Sequence, residues 1–287
     1  MNPAGVGGSH FYIPPEVLTV GSVSLTGPEA HHLRAVRRVR PGQPVALCDH
    51  AGRTAAATVQ DIGGRPAARP GPGERVLLEV TQLQCHPRAA PELIVAQALL
   101  PGDAGTAAVS LLTEVGVDTL VPWQASRSVA EWTGERAQRG CERWRATAHE
   151  ATKTSGRAWA PTVTEPVTTA DLIEMASSVD LAIACDTVAA DPLGRLLAGA
   201  GAPTSVLLII GPEGGLSSEE RTAFAAAGAR VASLGPTVLR SRSAGGVAGA
   251  ITLAHLRRGG SADTAPNGPN APSGPNGPNG PNGRLGG

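Results

Sequence analysis

The chain has 287 residues, 41% of them hydrophobic, which suffices for a packed core in one large domain or two modest ones. Its 24 Lys and Arg residues balance 24 Asp and Glu residues, so the whole molecule is not a polycation. The sequence contains no apolar run approaching the roughly 20 residues that span a bilayer, and its Gly-rich start lacks the features of a signal peptide. We therefore expect a cytoplasmic protein with no membrane partner.

The cysteines predict neither a metal site nor a disulfide framework. They lie far apart, at positions 48, 85, 141 and 185, with no CxxC pair and no Cys/His ligand spacing. A chain of this length also does not need disulfides to hold its core together. We expect no bound metal.

Charge is distributed unevenly along the chain. Residues 1–88 hold nine Arg against six acidic residues, a balance of +3, whereas residues 89–258 hold fourteen Lys or Arg against seventeen acidic residues, a balance of −3. The asymmetry predicts that a polyanion contacts the front half first, although counts this small also arise from ordinary sampling.

Composition divides the chain into four parts. Residues 1–9 form a Gly-rich, flexible N-terminus, and residues 259–287 form a tail of Gly, Ser, Asn and Pro that cannot bury a core and is predicted to be disordered. A break near Gln84–Pro91 separates a predicted domain at 10–88 from a second domain at 89–258.

The front domain alternates short β-like runs with Gly- and Pro-rich turns, a pattern typical of a small β-barrel or sandwich. The predicted strands are Val17–Leu18, Val23–Leu25, Pro44–Cys48, Thr54–Val59 and Val76–Val80.

The segment His31–Arg40 carries four arginines within seven residues and no acidic residue. His32, Ala35, Val36 and Val39 lie at helical spacing, which predicts a short helix with its arginines facing water. The pattern fits either an ordinary solvated helix face or a ridge that contacts phosphates.

The back domain alternates strands and helices, and its strands lack in/out alternation. This pattern indicates an α/β domain with a parallel sheet covered on both faces. The predicted strands are Leu93–Leu99, Thr119–Val121, Pro161–Val163, Leu181–Cys185, Val206–Ile210 and Arg230–Ser233, and the predicted helices are Gly105–Val115, Arg136–Thr154, Thr168–Ser177, Ser217–Ala227 and Val247–Leu256.

Two loops that leave strands of this sheet are rich in glycine, as expected for ligand-binding loops at the carboxyl edge. Ile210–Gly215 leaves the most apolar strand and leads to a predicted capping box formed by Ser217 and Glu220. Leu234–Gly246 carries two hydroxyls and two guanidiniums. Neither loop is a GxGxxG fingerprint or a Walker loop, and either could also be a simple turn.

The paired segments IGPEGGLSSEE (210–220) and SLGPTVLRSRSA (233–244) resemble the signature of the RsmE-type 16S ribosomal RNA uracil-N3 methyltransferases. The segment at 31–45 resembles that family's N-terminal PUA-like motif, and the similarity covers roughly residues 10–258. It implies a PUA-like β-barrel in front of a SPOUT domain, a trefoil-knotted α/β methyltransferase fold, working as a homodimer with S-adenosyl-L-methionine (SAM) as methyl donor.

The resemblance also implies roles for individual residues. The residues implied to line the cofactor are Ile210, Gly211, Pro212, Glu213, Gly214, Leu234, Gly235, Leu239 and Arg240. The implied catalytic residues are Arg240, Ser241 and Arg242, with Arg240 orienting the base and stabilising its developing negative charge. The predicted contacts to 16S ribosomal RNA of the small subunit are His32, Arg34, Arg37, Arg38 and Arg127.

The chain departs from the family pattern in three places. Many members read RTETA where this chain has Arg240–Ala244, which places Arg242 where a carboxylate is usual. The family's KGDR is replaced by a motif within Leu100–Ala104, without its two cations, and its EQS by Lys153–Ser155. Two alternatives therefore stay open beside ribosomal RNA methylation: a relative that methylates a ring nitrogen of a small molecule, and an RNA-binding protein with little catalysis.

Overall fold

The computed structural model describes residues 10–63 and 74–257; the predicted flexible N-terminus and disordered tail lie outside these ranges. The front part forms a five-stranded, mainly antiparallel sheet with the strand order β1-β3-β4-β5-β2. Register shifts in the pairing of β4 with β5 mark bulges, which bend strands. The strands are β1 (Phe11–Tyr12), β2 (Gly21–Thr26), β3 (Pro44–Cys48), β4 (Arg53–Gly63) and β5 (Arg75–Cys85).

Two of the front-domain predictions are wrong. Val17 lies in a turn instead of a strand. The predicted helix at 31–40 is instead a short helix, α1 (Gly27–His31), followed by a π-helical turn at His32–Val36. The wider π turn changes the angular spacing of the side chains, so that Leu33 is buried while Val36 is 65% exposed.

The back part is a six-stranded, all-parallel sheet with the order β11-β9-β10-β6-β7-β8, as the unbroken apolar runs predict. Alternate residues of the central strands enter different cores on the two faces, for example Leu208 on one face and Ile209 on the other. The strands are β6 (Glu92–Ala98), β7 (Thr119–Trp123), β8 (Thr162–Val163), β9 (Leu181–Cys185), β10 (Ser205–Ile210) and β11 (Arg230–Ala232).

Six helices cover this sheet, and their ends follow local sequence signals. Gly116 ends α2 in a left-handed conformation with φ 114°, and Ser217 and Glu220 form the predicted capping box of α6. One helix, α5, is not predicted, although its leucines follow helical spacing. The helices are α2 (Ala104–Val115), α3 (Gly134–Ser155), α4 (Thr169–Ser178), α5 (Leu193–Ala198), α6 (Ser218–Ala226) and α7 (Ser241–Leu256).

Helix α7 begins at Ser241, six residues before the predicted start at Val247. The Ser- and Gly-rich first turns have low helix propensity, but Gly245 and Gly246 are buried against Leu111 and Leu112 of α2. Close packing that only small residues permit therefore outweighs local propensity. As a consequence Arg240 lies in the extended segment before α7, whereas Arg242 lies in the first turn of the helix.

The two parts meet where the end of α3 contacts the front domain. Lys153 is buried and pairs with Glu29 of α1 at 2.6 Å, while its carbonyl accepts a hydrogen bond from the amide of His10. Beside it, the imidazoles of His50 and His149 lie 4.2 Å apart, between centroids. Both nitrogens of the buried His50 have no hydrogen-bond partner within the described ranges. The junction is thus a packed interface with buried polar groups.

None of the helices between residues 10 and 257, apart from the gap at 64–73, is long and apolar enough to cross a membrane. The same part of the chain holds no cluster of His, Cys, Asp and Glu suited to binding a metal ion.

Candidate cofactor pocket and its surroundings

The loops that follow β9, β10 and β11 enclose a cavity of about 420 Å³ at the carboxyl edge of the parallel sheet. Its volume lies within the roughly 300–1,000 Å³ typical of small-molecule sites. All nine residues predicted to line the cofactor border this cavity, as does Ser241. The structure therefore brings the two glycine-rich loops together, while their role in binding stays a prediction.

The loop after β10 is shaped by close backbone contacts. A Cβ atom at Gly211 would lie 3.1 Å from the Leu216 side chain and 3.3 Å from backbone atoms, and Gly215 has a φ of 67°. The loop ends in the capping box of α6, whose Glu220 is buried and accepts a hydrogen bond from the amide of Ser217 (2.9 Å). Glycine suits both positions, because a side chain at 211 would crowd Leu216 and the loop backbone, and the positive φ at 215 is disfavoured for other residues.

Ser241 joins the two loops. Its buried hydroxyl donates to the carbonyl oxygen of Gly211 (2.6 Å) and accepts from Nε2 of Gln97 on β6 (3.1 Å). Arg240, the extended residue before α7, lies exposed on the cavity rim. Arg242 is exposed on the first helical turn and does not line the cavity. Of the three predicted catalytic residues, Arg240 and Ser241 border the cavity and Arg242 does not. The hydroxyl of Ser241 is occupied by its hydrogen bonds to Gly211 and Gln97.

The strand β9 adds a third wall. Cys185, Asp186 and Thr187 line the cavity in addition to the nine residues predicted to hold the cofactor. The carboxylate of Asp186 is 7% exposed and pairs with Arg221 of α6 at 3.2 Å. Burial, followed by the charge of Asp186, raises the pKa of Cys185 to about 12, so its thiol stays protonated. The position of these residues at the end of a buried strand is the signal that could identify them.

Arg127, a predicted RNA contact, lies on the loop between β7 and α3. Its guanidinium donates to the carbonyl oxygens of Gly214 (3.0 Å) and Leu216 (3.2 Å). The neighbouring amide of Ser126 donates to the buried carboxylate of Glu220 (2.8 Å). These bonds hold the loop after β7 against the cavity loop, so Arg127 positions the cavity wall.

The predicted RNA contacts of the front domain lie at and after the π-helical turn. Arg37 and Arg38 are exposed. Arg34 donates to the carbonyl oxygen of Gly63 (2.9 Å), and His32 packs edge-on against Phe11 with 5.5 Å between ring centroids. Two of the four side chains therefore present their charge freely to solvent, whereas Arg34 and His32 also make structural contacts.

Comparisons with known proteins agree with this architecture. A family model described as an RNA methyltransferase domain matches residues 87–253, and one described as an RNA methyltransferase PUA domain matches residues 25–68. The ribosomal RNA small subunit methyltransferase E of Mycobacterium tuberculosis (strain CDC 1551 / Oshkosh) is 35% identical over 240 residues, 83% of this chain and 88% of that protein. The Bacillus subtilis (strain 168) protein of the same name is 26% identical over 227 residues, 77% of this chain and 85% of that protein.

Solved structures share the fold. The ribosomal RNA small subunit methyltransferase E from Neisseria gonorrhoeae, bound to S-adenosyl methionine, superposes with a TM-score of 0.70 at 24% identity, covering 86% of this chain and 97% of that one. A methyltransferase from Legionella pneumophila in complex with SAM gives 0.71 at 24% identity, covering 87% and 98%. With a PUA domain before a parallel α/β methyltransferase domain, and this identity over most of its length, the chain is an RNA methyltransferase that belongs to the ribosomal RNA small subunit methyltransferase E family.

Proposed function

We propose that the protein transfers a methyl group from SAM to N3 of one uridine in the 16S ribosomal RNA of the small ribosomal subunit. The observation that carries the proposal is the convergence of the two signature loops on a single cavity at the sheet edge, with Arg240 on its rim. The family membership supports methylation of ribosomal RNA, and the cofactor of the two related structures supports SAM as donor.

The cavity fits SAM in size and chemistry. The backbone of Gly211–Gly214 and Leu234–Gly235 would hold the cofactor, because glycines leave room for close approach. Asp186 offers a buried carboxylate toward a cofactor that carries positive charge. When bound, SAM supplies an electrophilic methyl group. The loops of this chain would surround the cofactor, and the exposed Arg240 lies on the cavity rim, where the base would approach.

Two side chains at the rim match the needs of the uracil ring. Its N3 carries a proton that must leave before the nitrogen can attack, and negative charge develops on the flanking carbonyls. Arg240 stabilises that charge but, being always protonated, does not accept the proton. Glu213 is an exposed carboxylate on the cavity wall with no hydrogen bond assigned to it within residues 10–63 and 74–257, and it is our candidate for the proton acceptor.

The front domain presents the RNA. Base pairing hides N3, so the target uridine is unpaired or flipped out of its helix. Phosphate contacts position a nucleic acid without reading its sequence. The exposed Arg37 and Arg38, with Arg34 and His32 beside them, hold the backbone of the surrounding RNA.

We further propose that the protein is a homodimer with the pocket at its interface, that its back domain is trefoil-knotted, and that it is cytoplasmic. Val188 and Val238, on two loops of the cavity wall, are 70% and 79% exposed. Large apolar side chains next to a ligand pocket favour burial against another molecule, and this supports a second copy of the chain as the cover.

Transfer of label from methyl-labelled SAM tests the proposal. Small ribosomal subunits from a strain lacking N3-methyluridine are compared with naked 16S ribosomal RNA, and the modified nucleoside is identified by mass spectrometry. We expect N3-methyluridine at a single site. No transfer to either substrate, with SAM binding intact, would refute ribosomal methylation and favour a small-molecule substrate; no SAM binding would favour an RNA-binding protein with little catalysis.

A further inference from the structure

A second cavity, of about 530 Å³, opens at the same edge of the parallel sheet. Its walls are the loop after β6 at Leu100–Gly102, the loop after β7 at Val129–Trp132, and the first half of α3. Three arginines of α3 line it, namely Arg136, Arg139 and Arg143. The methyl-transfer pocket shares none of its lining residues with this cavity, and none of the residues predicted to bind the cofactor or RNA is among its three arginines.

The three arginines form one ridge. Their spacing of three and then four residues places them on one face of the helix. Arg136 and Arg143 are seven positions apart, or roughly 10 Å at 1.5 Å of rise per residue. That length exceeds a single phosphate and matches a short run of nucleic-acid backbone, since even in duplex DNA the phosphates of one strand recur about every 3.4 Å along the helix axis.

The ridge is free to take phosphates as partners. Arg136 has no ion pair within the described ranges, whereas Arg139 pairs with Glu135 at 3.0 Å and Arg143 pairs with Asp103. The carboxylates of Glu135 and Asp103 are 86% and 90% exposed, so water competes with both pairs and they contribute little. A phosphate, which guanidinium binds bidentately, can replace them.

The ridge and the methyl-transfer pocket lie at the same edge of the parallel sheet. Strand β6 pairs directly with β10, so the loops after them emerge side by side. The loop after β7, which forms a wall of the second cavity, is tied to the cofactor loop by Arg127 through Gly214 and Leu216. An RNA chain bound along the ridge would therefore lie at the same edge of the sheet as the pocket.

We propose that the arginine ridge (Arg136, Arg139 and Arg143) binds the phosphate backbone of the substrate RNA next to the target uridine. This inference rests on the proposed function, because it takes the substrate to be RNA. The loop at Leu100–Gly102, on the opposite wall, supplies no cation to this cavity, and the only cations that line the cavity in the described part of the chain are those of the ridge.

The test is a triple variant, Arg136→Gln with Arg139→Gln and Arg143→Gln, in the full chain. A control removes the same charge elsewhere, with Arg145→Gln, Arg195→Gln and Arg230→Gln, none of which lines either cavity. Thermal unfolding shows that each variant folds, and calorimetry gives its SAM affinity. Filter binding to 16S ribosomal RNA is measured over a salt series, together with methyl transfer to small subunits that lack the modification.

We expect the ridge variant to bind SAM normally but to bind RNA about 10- to 100-fold more weakly at low salt. The plot of the logarithm of RNA affinity against the logarithm of salt concentration should have a slope that is shallower by about 2, which is about 0.7 for each of three lost phosphate contacts. RNA binding equal to the wild type, or an equal loss in the control variant, would overturn the ridge while leaving the proposed function standing. A wild-type protein that neither binds nor methylates ribosomal RNA would overturn both.

Discussion

Replacing Ser241 by alanine should weaken the contact between the two loops of the methyl-transfer pocket, because the hydroxyl it removes bonds to other protein groups. The change removes a 2.6 Å bond to the Gly211 carbonyl and a 3.1 Å bond from Gln97. Gln97 keeps its bond to the Ala98 carbonyl (3.3 Å), so the loss falls mainly on Gly211. A lost bond that leaves a partly buried acceptor unpaired costs about 1–2 kcal/mol, within the usual range for such groups.

We expect this cost to appear in two measurements. Titration calorimetry should show SAM affinity reduced about tenfold, since 1.4 kcal/mol corresponds to a factor of ten. Thermal unfolding should show a fall in Tm of about 2–6 °C for a chain of this size. Ser243→Ala is the matched control, because Ser243 lies on the same helix and makes no side-chain hydrogen bond within the described part of the chain. Unchanged affinity in Ser241→Ala, or an equal loss in Ser243→Ala, would show that the hydroxyl does not join the loops.

Three further predictions concern other regions. Burial, followed by the charges of His149 and Lys153, lowers the pKa of His50 from 6.5 to about 3, so the folded state favours the neutral ring. The contribution of His50 to the free energy of unfolding should therefore be complete above pH 6.5 and decline as the pH falls toward 3. A midpoint of urea unfolding that stays constant between about pH 7 and 4 would contradict this. Gly246→Ala would place a Cβ 2.5 Å from the Leu111 side chain, whereas the nearest contact of a Cβ at Gly249 is 3.3 Å. Because both variants gain helix propensity, denaturant unfolding should show Gly246→Ala to be less stable than Gly249→Ala by about 1–3 kcal/mol. Equal stabilities would refute the close contact. Arg127→Met should raise the KM for SAM several-fold with a smaller effect on RNA affinity, because the guanidinium holds the cofactor loop; a loss confined to RNA binding would restore Arg127 as an RNA contact.

The sequence predicts best those elements whose signals are local. The strand β9 and the capping box of Ser217 and Glu220 are confirmed. An unbroken apolar run and a pair of capping residues can be recognised from a short stretch of sequence, without knowledge of distant contacts. The loops at 210–215 and 234–240 converge on one cavity because the carboxyl ends of parallel strands meet at one edge.

Features that depend on distant contacts escape prediction. The early start of α7 depends on packing against α2, and the π-helical turn changes which side chains of 32–36 are buried. The Ser241 bridge and the Arg127 contacts join residues far apart in the chain. The arginine ridge has helical spacing in the sequence, but only the fold shows that its face borders a cavity.

Helix α3 sets the distance between the arginine ridge and the front domain. It is one uninterrupted helix of 22 residues, with the arginine ridge near its start and Lys153, joined to the front domain, near its end. Arg136 and Lys153 are 17 residues apart, or roughly 26 Å along a straight helix. If the ridge and the front domain both hold RNA as proposed, α3 sets the distance between them, and nucleotides inserted between the two held segments would move the target uridine out of register with the pocket.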